Sequence, residues 1–417
     1  MRVLHTADWH IGQLFHGYDR TREHQLFLNW LIKTLADEQI DVLLISGDVF
    51  DLSNPSAAAV RLFYSFLNRA TRQNPQLQVI ITAGNHDSPA RLESPKPLLE
   101  SSQIHIIGLI EKDEQGVIRY DKLAIPLKNS SKEIAAWCIA APYLRMGDYP
   151  AVENSTNSYA AGVAEFYKQA YEYVLTIKQP GQAVIALGHL HAQKSELGDQ
   201  DAMERPIMGG IESIPASAFD EGIGYVALGH IHKAQRVGGK DHIRYSGSPL
   251  PMSFSEINYK HQVVVFDLKG EEIADIHAIE IPVSVALLRV PAVHSPLADV
   301  LSALTRLPDS QGSIDYAPYV QVCVLLDGPE PGLRYKVESV LEGKEARLAK
   351  IDIQYKTAPD KAADGEDLLV PAQLNELKPE DILRKVYTSK YSSAVPDNLI
   401  SLFRQVIQEV NQSESAL

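Results

Sequence analysis

DVLLISGD, residues 41–48, is a run of apolar, largely β-branched residues that stops abruptly at Gly47 and delivers a carboxylate, Asp48. A run this short and this apolar reads as a strand with both faces buried, and the glycine and aspartate mark its end. The same design recurs along the chain. VLHTAD (3–8) ends at Asp8 with His10 beyond it, QVIITAGN (78–85) ends at Asn85 followed by His86 and Asp87, AVIALGH (183–189) ends at His189, and GYVALGH (224–230) ends at His230 with His232 next. Between the first two runs, EHQLFLNWLIKTLADE (23–38) places Leu26, Phe27, Trp30, Leu31 and Leu35 on one helical face, as a crossover helix between parallel strands does. Alternating strands and helices over about 275 residues predict a layered α/β domain.

Ligands of open α/β sheets bind at the carboxyl ends of the strands, so these strand-end residues are expected to converge on one site. Taken one at a time, each has an ordinary explanation: glycine supplies positive φ, and Asx side chains cap turns. Jointly, every clear strand ends in Asp, Asn or His. The near repeat of IALGHLHAQ (185–193) and VALGHIHKAQ (226–235) fits two strand ends feeding the same site, since two copies do not build a propeller or solenoid.

Composition narrows the chemistry. The chain has 417 residues, two cysteines (Cys138 and Cys323, each within an apolar segment) and a net charge of −14. This usage fits a reducing, cytoplasmic compartment and leads to the expectation of neither a disulfide framework nor a thiolate metal site. No apolar run is long enough for a membrane span, and the opening MRVLHTADWH lacks the pattern of a secretion signal. The acidic balance argues against coating nucleic acid by bulk charge. Carboxylates, an amide and imidazoles suit borderline-hard divalent ions such as Mn²⁺, with Fe²⁺ or Zn²⁺ as alternatives, and seven donors are too many for one tetrahedral ion. They suit two ions sharing a carboxylate.

The motifs DWH, GDVFD, GNHD and GHIH, in this order and each after a strand, resemble those of the calcineurin-type metallophosphoesterases. More narrowly, HTADWHIGQ, REHQLFLNWL, SGDVFDLSNP, AGNHDSPARL, YVALGHIHKAQ and RYSGSPLPMSF are similar to the nuclease subunits of bacterial SbcCD-type repair complexes, closely over about residues 1–260. The resemblance implies a β-sandwich flanked by helices. It also implies that Asp8, His10, Asp48 and His232 hold one metal, while Asp48 bridges to a second held with Asn85, His189 and His230. By the same resemblance, His86 acts on the phosphate. Some relatives have a histidine where this chain has Asp51, and His191 exceeds what two metals need. The implied activity is metal-dependent DNA cleavage, exonucleolytic at double-stranded ends and endonucleolytic at single strands and hairpins, in repair and recombination. The implied partners are DNA and an SMC-type ATPase gripped by the C-terminal helices, with two nuclease subunits in a heterotetramer. A phosphodiesterase for small substrates and a metal-free scaffold are the alternative readings.

The expected organisation is a nuclease domain at 1–280, a small α/β DNA-capping domain at 281–357, a polar linker at 358–371 and a helical ATPase-binding segment at 372–417. In that segment Leu399, Leu402, Phe403, Val406 and Val410 form an apolar stripe. Arg20, Arg22, Arg91, Lys194, Lys233, Arg236 and Arg244, near the site loops, are candidates for DNA contact.

Overall fold

The computed structural model describes residues 1–99, 102–152, 158–193, 213–310, 312, 314–356 and isolated positions between 387 and 403. The expected linker and most of the C-terminal stripe, together with Lys194, lie outside the described residues.

In chain order the first elements are β1 (Arg2–Thr6), the small hairpin β2 (Leu14–Phe15) and β3 (Tyr18–Asp19), α1 (Thr21–Asp37), β4 (Val42–Ser46), α2 (Ala57–Gln73), β5 (Gln78–Thr82), the short α3 (Pro89–Glu93) and α4 (Lys96–Leu99), and β6 (Ile104–Ile107). Then follow β7 (Ala124–Lys128), β8 (Ile134–Ala140), α5 (Ser158–Ile177), β9 (Ala183–His189), β10 (Tyr225–Gly229), β11 (Gln235–Val237), β12 (Lys240–Tyr245), β13 (Gln262–Lys269) and β14 (Glu272–Glu280).

These strands form two six-stranded sheets, ordered β14-β13-β1-β4-β5-β6 and β11-β12-β10-β9-β8-β7. In the first, β1, β4, β5 and β6 are parallel, and β13 joins β1 antiparallel. In the second, β8, β9, β10 and β12 are parallel. Period-two alternation explains why the decisive runs are apolar throughout. Val42 and Leu44 face the second sheet, in a core that contains Ile185 and Val226 and extends to Phe166 and Tyr167 of α5. Leu43 and Ile45 face α1 and α2, in a separate core with Leu31, Leu35, Phe63 and Phe66. The result is two sheets face to face with helices outside, the calcineurin-like phosphoesterase fold.

The face of α1 is turned slightly from the expected one. Leu28 and Ile32 join Phe27, Leu31 and Leu35 in the buried set, whereas Leu26 and Trp30 are only partly covered. The amphipathic stripe is wide enough that the packing of α2 decides which edge is sealed.

The chain divides into two compact units: residues 1–288 with 311–319, and 289–310 with the described residues from 320 onward. The second contains most of β15 (Leu287–Pro296), α6 (Leu297–Thr305), most of β16 (Tyr319–Leu326), α7 (Leu333–Leu341) and β17 (Arg347–Tyr355). Its sheet has the order β15-β16-β17.

Candidate metal centre

Because β1, β4 and β5 run parallel in one sheet and β9 and β10 in the other, their carboxyl ends lie together, and the residues just beyond them meet. Direct bonds tie the two sheets there. The His189 imidazole Nδ1 donates to the Ser46 carbonyl at 2.9 Å, and the Ser46 hydroxyl donates to the Ala227 carbonyl at 3.0 Å.

The glycines before Asp48 and Asn85 serve close approach as well as turning. A Cβ on Gly47, whose φ is +84°, would lie 2.2 Å from His189 Nδ1, and one on Gly84 would lie 2.0 Å from Asp48 Oδ1. Only hydrogen side chains let the β4 and β5 ends and His189 pack this tightly. Asp8, His10, Asp48 and His230 all adopt positive φ, at 54°, 46°, 50° and 98°. For non-glycine residues this costs of order 1 kcal/mol each, a strain that concentrates at functional sites.

Asp48 is the hub. Fully buried, it accepts the His86 backbone N–H through Oδ1 at 2.9 Å, while Oδ2 lies 3.2 Å from His189 Nε2 and 3.7 Å from His10 Nε2. One donor atom each from Asp8, Asp48 and His189 lie within 4.8 Å of one another, and so do donor atoms from His10, Asp48 and His86. Asp48 belongs to both groups. Asp8, also fully buried, accepts the His230 N–H through Oδ1 at 2.8 Å. The Asn85 side-chain oxygen faces His189 Nε2 at 2.9 Å and His230 Nδ1 at 3.2 Å. The His232 ring lies edge-on to His10, with centroids 5.2 Å apart. All eight expected residues are thus brought together.

The electrostatics suit cations. Burial drives the Asp8 carboxyl up to about 6, despite the opposing imidazoles of His189, His232 and His10. Burial would also raise Asp48, yet His189 and His10 hold it far below the usual carboxylate range. Burial alone would lower His189, but Asp48 and Asp8 keep it up at about 9. Among the described residues, Asp8 Oδ2 and both His10 ring nitrogens are buried without a hydrogen-bond partner, and buried Asp48 Oδ2 meets only the His189 and His10 imidazoles. Buried carboxylates in such a state are costly unless a positive charge faces them. The donor set fits divalent metal ions.

Several residues acquire roles that sequence reasoning did not assign. Asp87, 2% exposed, accepts the backbone N–H groups of Val49 (3.1 Å), Phe50 (2.9 Å) and Gly84 (2.9 Å), stapling the loop after β4 to the one after β5. The Glu256 carboxylate, 1% exposed, lies 3.4 Å from His232 Nδ1 and accepts the Met252 N–H at 2.8 Å. Trp9, wedged edge-on among Phe27, Phe63 and Phe66, anchors the stretch between Asp8 and His10. Asp51 lies with its Oδ1 3.3 Å from His10 Nδ1. His191 is half-buried, its imidazole lowered by that burial, and its carbonyl accepts the Ile214 N–H.

The basic candidates separate. Arg20 is not a surface cation: it is 1% exposed, doubly bonded to Glu23, and donates to the Pro251 carbonyl. Pairing with Glu23 is what allows its charge to be buried. Arg236 and Arg244 are both held by Asp241. Arg22 donates to the Tyr316 hydroxyl, Lys233 lies over the Tyr259 ring, and Arg91 is exposed. Exposed Arg145 lies over Tyr143, whose ring abuts His189.

Among the described residues, no helix is long and apolar enough to cross a membrane.

Residues 1–234 match the family model for calcineurin-like phosphoesterases, and residues 283–391 match that of the type 5 capsule protein repressor C-terminal domain. The chain is 36% identical to the SbcD subunit of the SbcCD nuclease of Rhodobacter capsulatus over 374 residues, covering 88% of this chain and 91% of that one. Its identity to the SbcD subunit of Bacillus subtilis is 30% over 426 residues, covering 100% of both. With the SbcD subunit of Escherichia coli K12 it is 32% over 295 residues, covering 68% of this chain and 69% of the relative. By its sequence, its double-sheet fold and the residues gathered at its strand ends, the chain belongs to the calcineurin-like phosphoesterase family, in the group of SbcD nuclease subunits.

Proposed function

We propose that this chain is the nuclease subunit of an SbcCD-type complex, cleaving DNA phosphodiesters with two divalent ions, Mn²⁺ being the best fit to its oxygen and nitrogen donors. The observation that carries the reading is fully buried Asp48, whose Oδ2 lies 3.2 Å from His189 Nε2 and 3.7 Å from His10 Nε2, one donor from each ligand set, as a carboxylate shared by two ions would. Asp8, His10 and His232 would hold one ion together with Asp48, and Asn85, His189 and His230 would hold the other. Bound there, the ions supply Lewis acidity and a nucleophile at neutral pH.

The chain's own groups set the geometry. The Ser46 carbonyl takes the Nδ1 proton of His189 and so presents Nε2 as its donor atom. Glu256 does the same for His232. His86 Nδ1 donates to the Asp51 carbonyl at 2.8 Å, so its Nε2 carries a proton only as imidazolium. In that state Nε2–H stabilises the phosphoryl oxygens and gives its proton to the leaving 3′ or 5′ oxygen, which is general acid catalysis.

Among the described residues, Arg22, Arg91, Arg145 and Lys233 help to guide the DNA backbone. With a net charge of −14, the chain relies on its partner for the rest. Residues 281–357 cap the DNA, and residues 372–417, joined by the polar linker, dock on an SMC-type ATPase as helices in a groove, two nuclease subunits serving one heterotetramer.

The test is incubation of the purified chain with duplex and hairpin DNA in Mn²⁺, with and without the ATPase. Cleavage that disappears in Asp48→Ala, and ATP-dependent end processing that disappears on deletion of residues 372–417 while hydrolysis of a chromogenic phosphodiester persists, is the expected result. Hydrolysis of the small diester alone, with both DNAs intact under every condition, reassigns the chain to small substrates.

A further inference from the structure

The second unit contains a constellation remote in kind from the centre above. His294 on β15, Cys323 on β16 and Asp352 on β17 each offer a donor atom, and the three lie within 4.8 Å of one another. The strand order makes this unusual. With β16 in the middle, β15 and β17 are two strand spacings apart, about 10 Å. Yet His294 Nε2 and Asp352 Oδ2 meet at 3.0 Å. The two longer side chains therefore arch over the central strand and close above its cysteine, forming a tripod whose foot is the sulfur.

Alternation along β16 sends Val320, Val322 and Val324 to one face, where they are fully buried. Cys323 points to the other face, is itself 3% exposed, and has His294 and Asp352 side chains 27% and 31% exposed above it. The foot is dry and the two arms are reachable from solvent. Asp352 is prepared for one-oxygen ligation, because Lys350 holds Oδ1 at 3.0 Å and leaves Oδ2 toward His294.

We propose that His294, Cys323 and Asp352 form a zinc site that clips together the three strands of the second unit. The donor set is one thiolate, one imidazole and one carboxylate, which suits Zn²⁺ in tetrahedral geometry with water as fourth ligand. Thiolate and carboxylate together neutralise the dication. The 3.0 Å separation of the nitrogen and oxygen is close to the roughly 3.3 Å edge of a tetrahedron built on ~2.0 Å bonds. The sulfur lies within 4.8 Å of both, and rotation of the two partly exposed arms closes that distance. Zinc binding displaces the thiol proton to solvent, shifts the proton of His294 from Nε2 to Nδ1, and replaces the His294–Asp352 hydrogen bond by two metal bonds. Nothing in the proposal depends on the nuclease centre, which has no thiolate.

The experiment uses the full chain, stripped with chelator and titrated with Co²⁺ as a spectroscopic substitute for Zn²⁺. A thiolate-to-cobalt charge-transfer band in the near ultraviolet is expected. It can come only from Cys323, since Cys138, the other cysteine, is fully buried in the core of the first unit. The band should be displaced by Zn²⁺, vanish in Cys323→Ser, weaken at least tenfold in apparent affinity in His294→Ala, and survive in Asp48→Ala. Phosphodiesterase turnover of Cys323→Ser should match that of the unaltered chain. Should Cys323→Ser fail to fold, the partly exposed positions His294→Ala and Asp352→Asn carry the test. A titration without any thiolate band, or a band indifferent to both His294→Ala and Asp352→Asn, overturns the proposal and leaves an ordinary hydrogen bond above a core cysteine.

Discussion

Replacing Asp87 with alanine is most damaging for what it leaves behind. Three backbone amides, those of Val49, Phe50 and Gly84, aim at its oxygens at 2.9 to 3.1 Å in a region closed to solvent. A buried amide deprived of its acceptor costs about 1–3 kcal/mol, so three give a range of about 3–9. Water entering the space of the lost carboxylate satisfies one or two of them, and relief from burying a charge beside Asp48, which raises the Asp87 carboxyl, offsets more. A net loss of about 3–4 kcal/mol is expected, a large share of a typical 5–15. Asp87→Asn keeps one oxygen. Set in the place of Oδ2, it accepts from both Val49 and Gly84, but its amide group then confronts the Phe50 N–H, for a loss of about 1.5–2.5 kcal/mol. The assay is urea unfolding at saturating Mn²⁺, alongside turnover of a chromogenic phosphodiester. The order unaltered, Asn, Ala should hold for stability. Turnover should fall further than the folded fraction does, because the staple sets the spacing of the Asp48 and Asn85 loops. An alanine variant within about 0.5 kcal/mol of the unaltered chain and fully active would refute the reasoning.

Three further outcomes are expected. His86→Gln should retain metal and DNA affinity while turnover falls roughly 10²-fold or more, measured by calorimetry and single-turnover cleavage; equal loss of metal would move His86 into the ligand shell. Glu256→Ala should weaken metal binding about 10- to 100-fold by freeing the His232 ring, with Glu256→Gln intermediate, and unchanged affinity in both would remove Glu256 from the centre's support. Burial lowers fully buried His5 from 6.5 to about 3, so the unfolded chain binds the extra proton between those values and His5's contribution, complete above pH 6.5, is lost as pH falls. From pH 7 to 5 that is about 2 kcal/mol, read as a flatter stability profile in His5→Gln; parallel profiles would refute it.

What could be read from the sequence was what is encoded locally. Each apolar run and the residue that ends it lie within about eight positions, so the strands, the crossover helix and all eight strand-end residues were visible as soon as one topology was assumed. Glu256 gave no such signal: it follows no strand, sitting in a short turn of 3-10 helix, and its role depends on a fold-back to His232. Arg20 was misleading for the same reason. A cation on a loop reads as surface until Glu23 and the Pro251 carbonyl, 231 residues away, are seen around it. His294, Cys323 and Asp352 look unremarkable in three separate strands. Only the order of those strands brings them together.

One bond has a consequence for how the protein is made. The hydrogen bond from the His230 backbone to Asp8 joins residues 222 positions apart, and β1, which leads to Asp8, gains its β13 neighbour only from residue 262 onward. At typical elongation rates of about 5–20 residues per second, the ribosome spends ten seconds or more between the first of the gathered residues and the last. Throughout that interval the emerging polypeptide owns an incomplete centre and no complete first sheet. Fragments released early by stalled translation would therefore lack the means to cut the genome of the cell that made them.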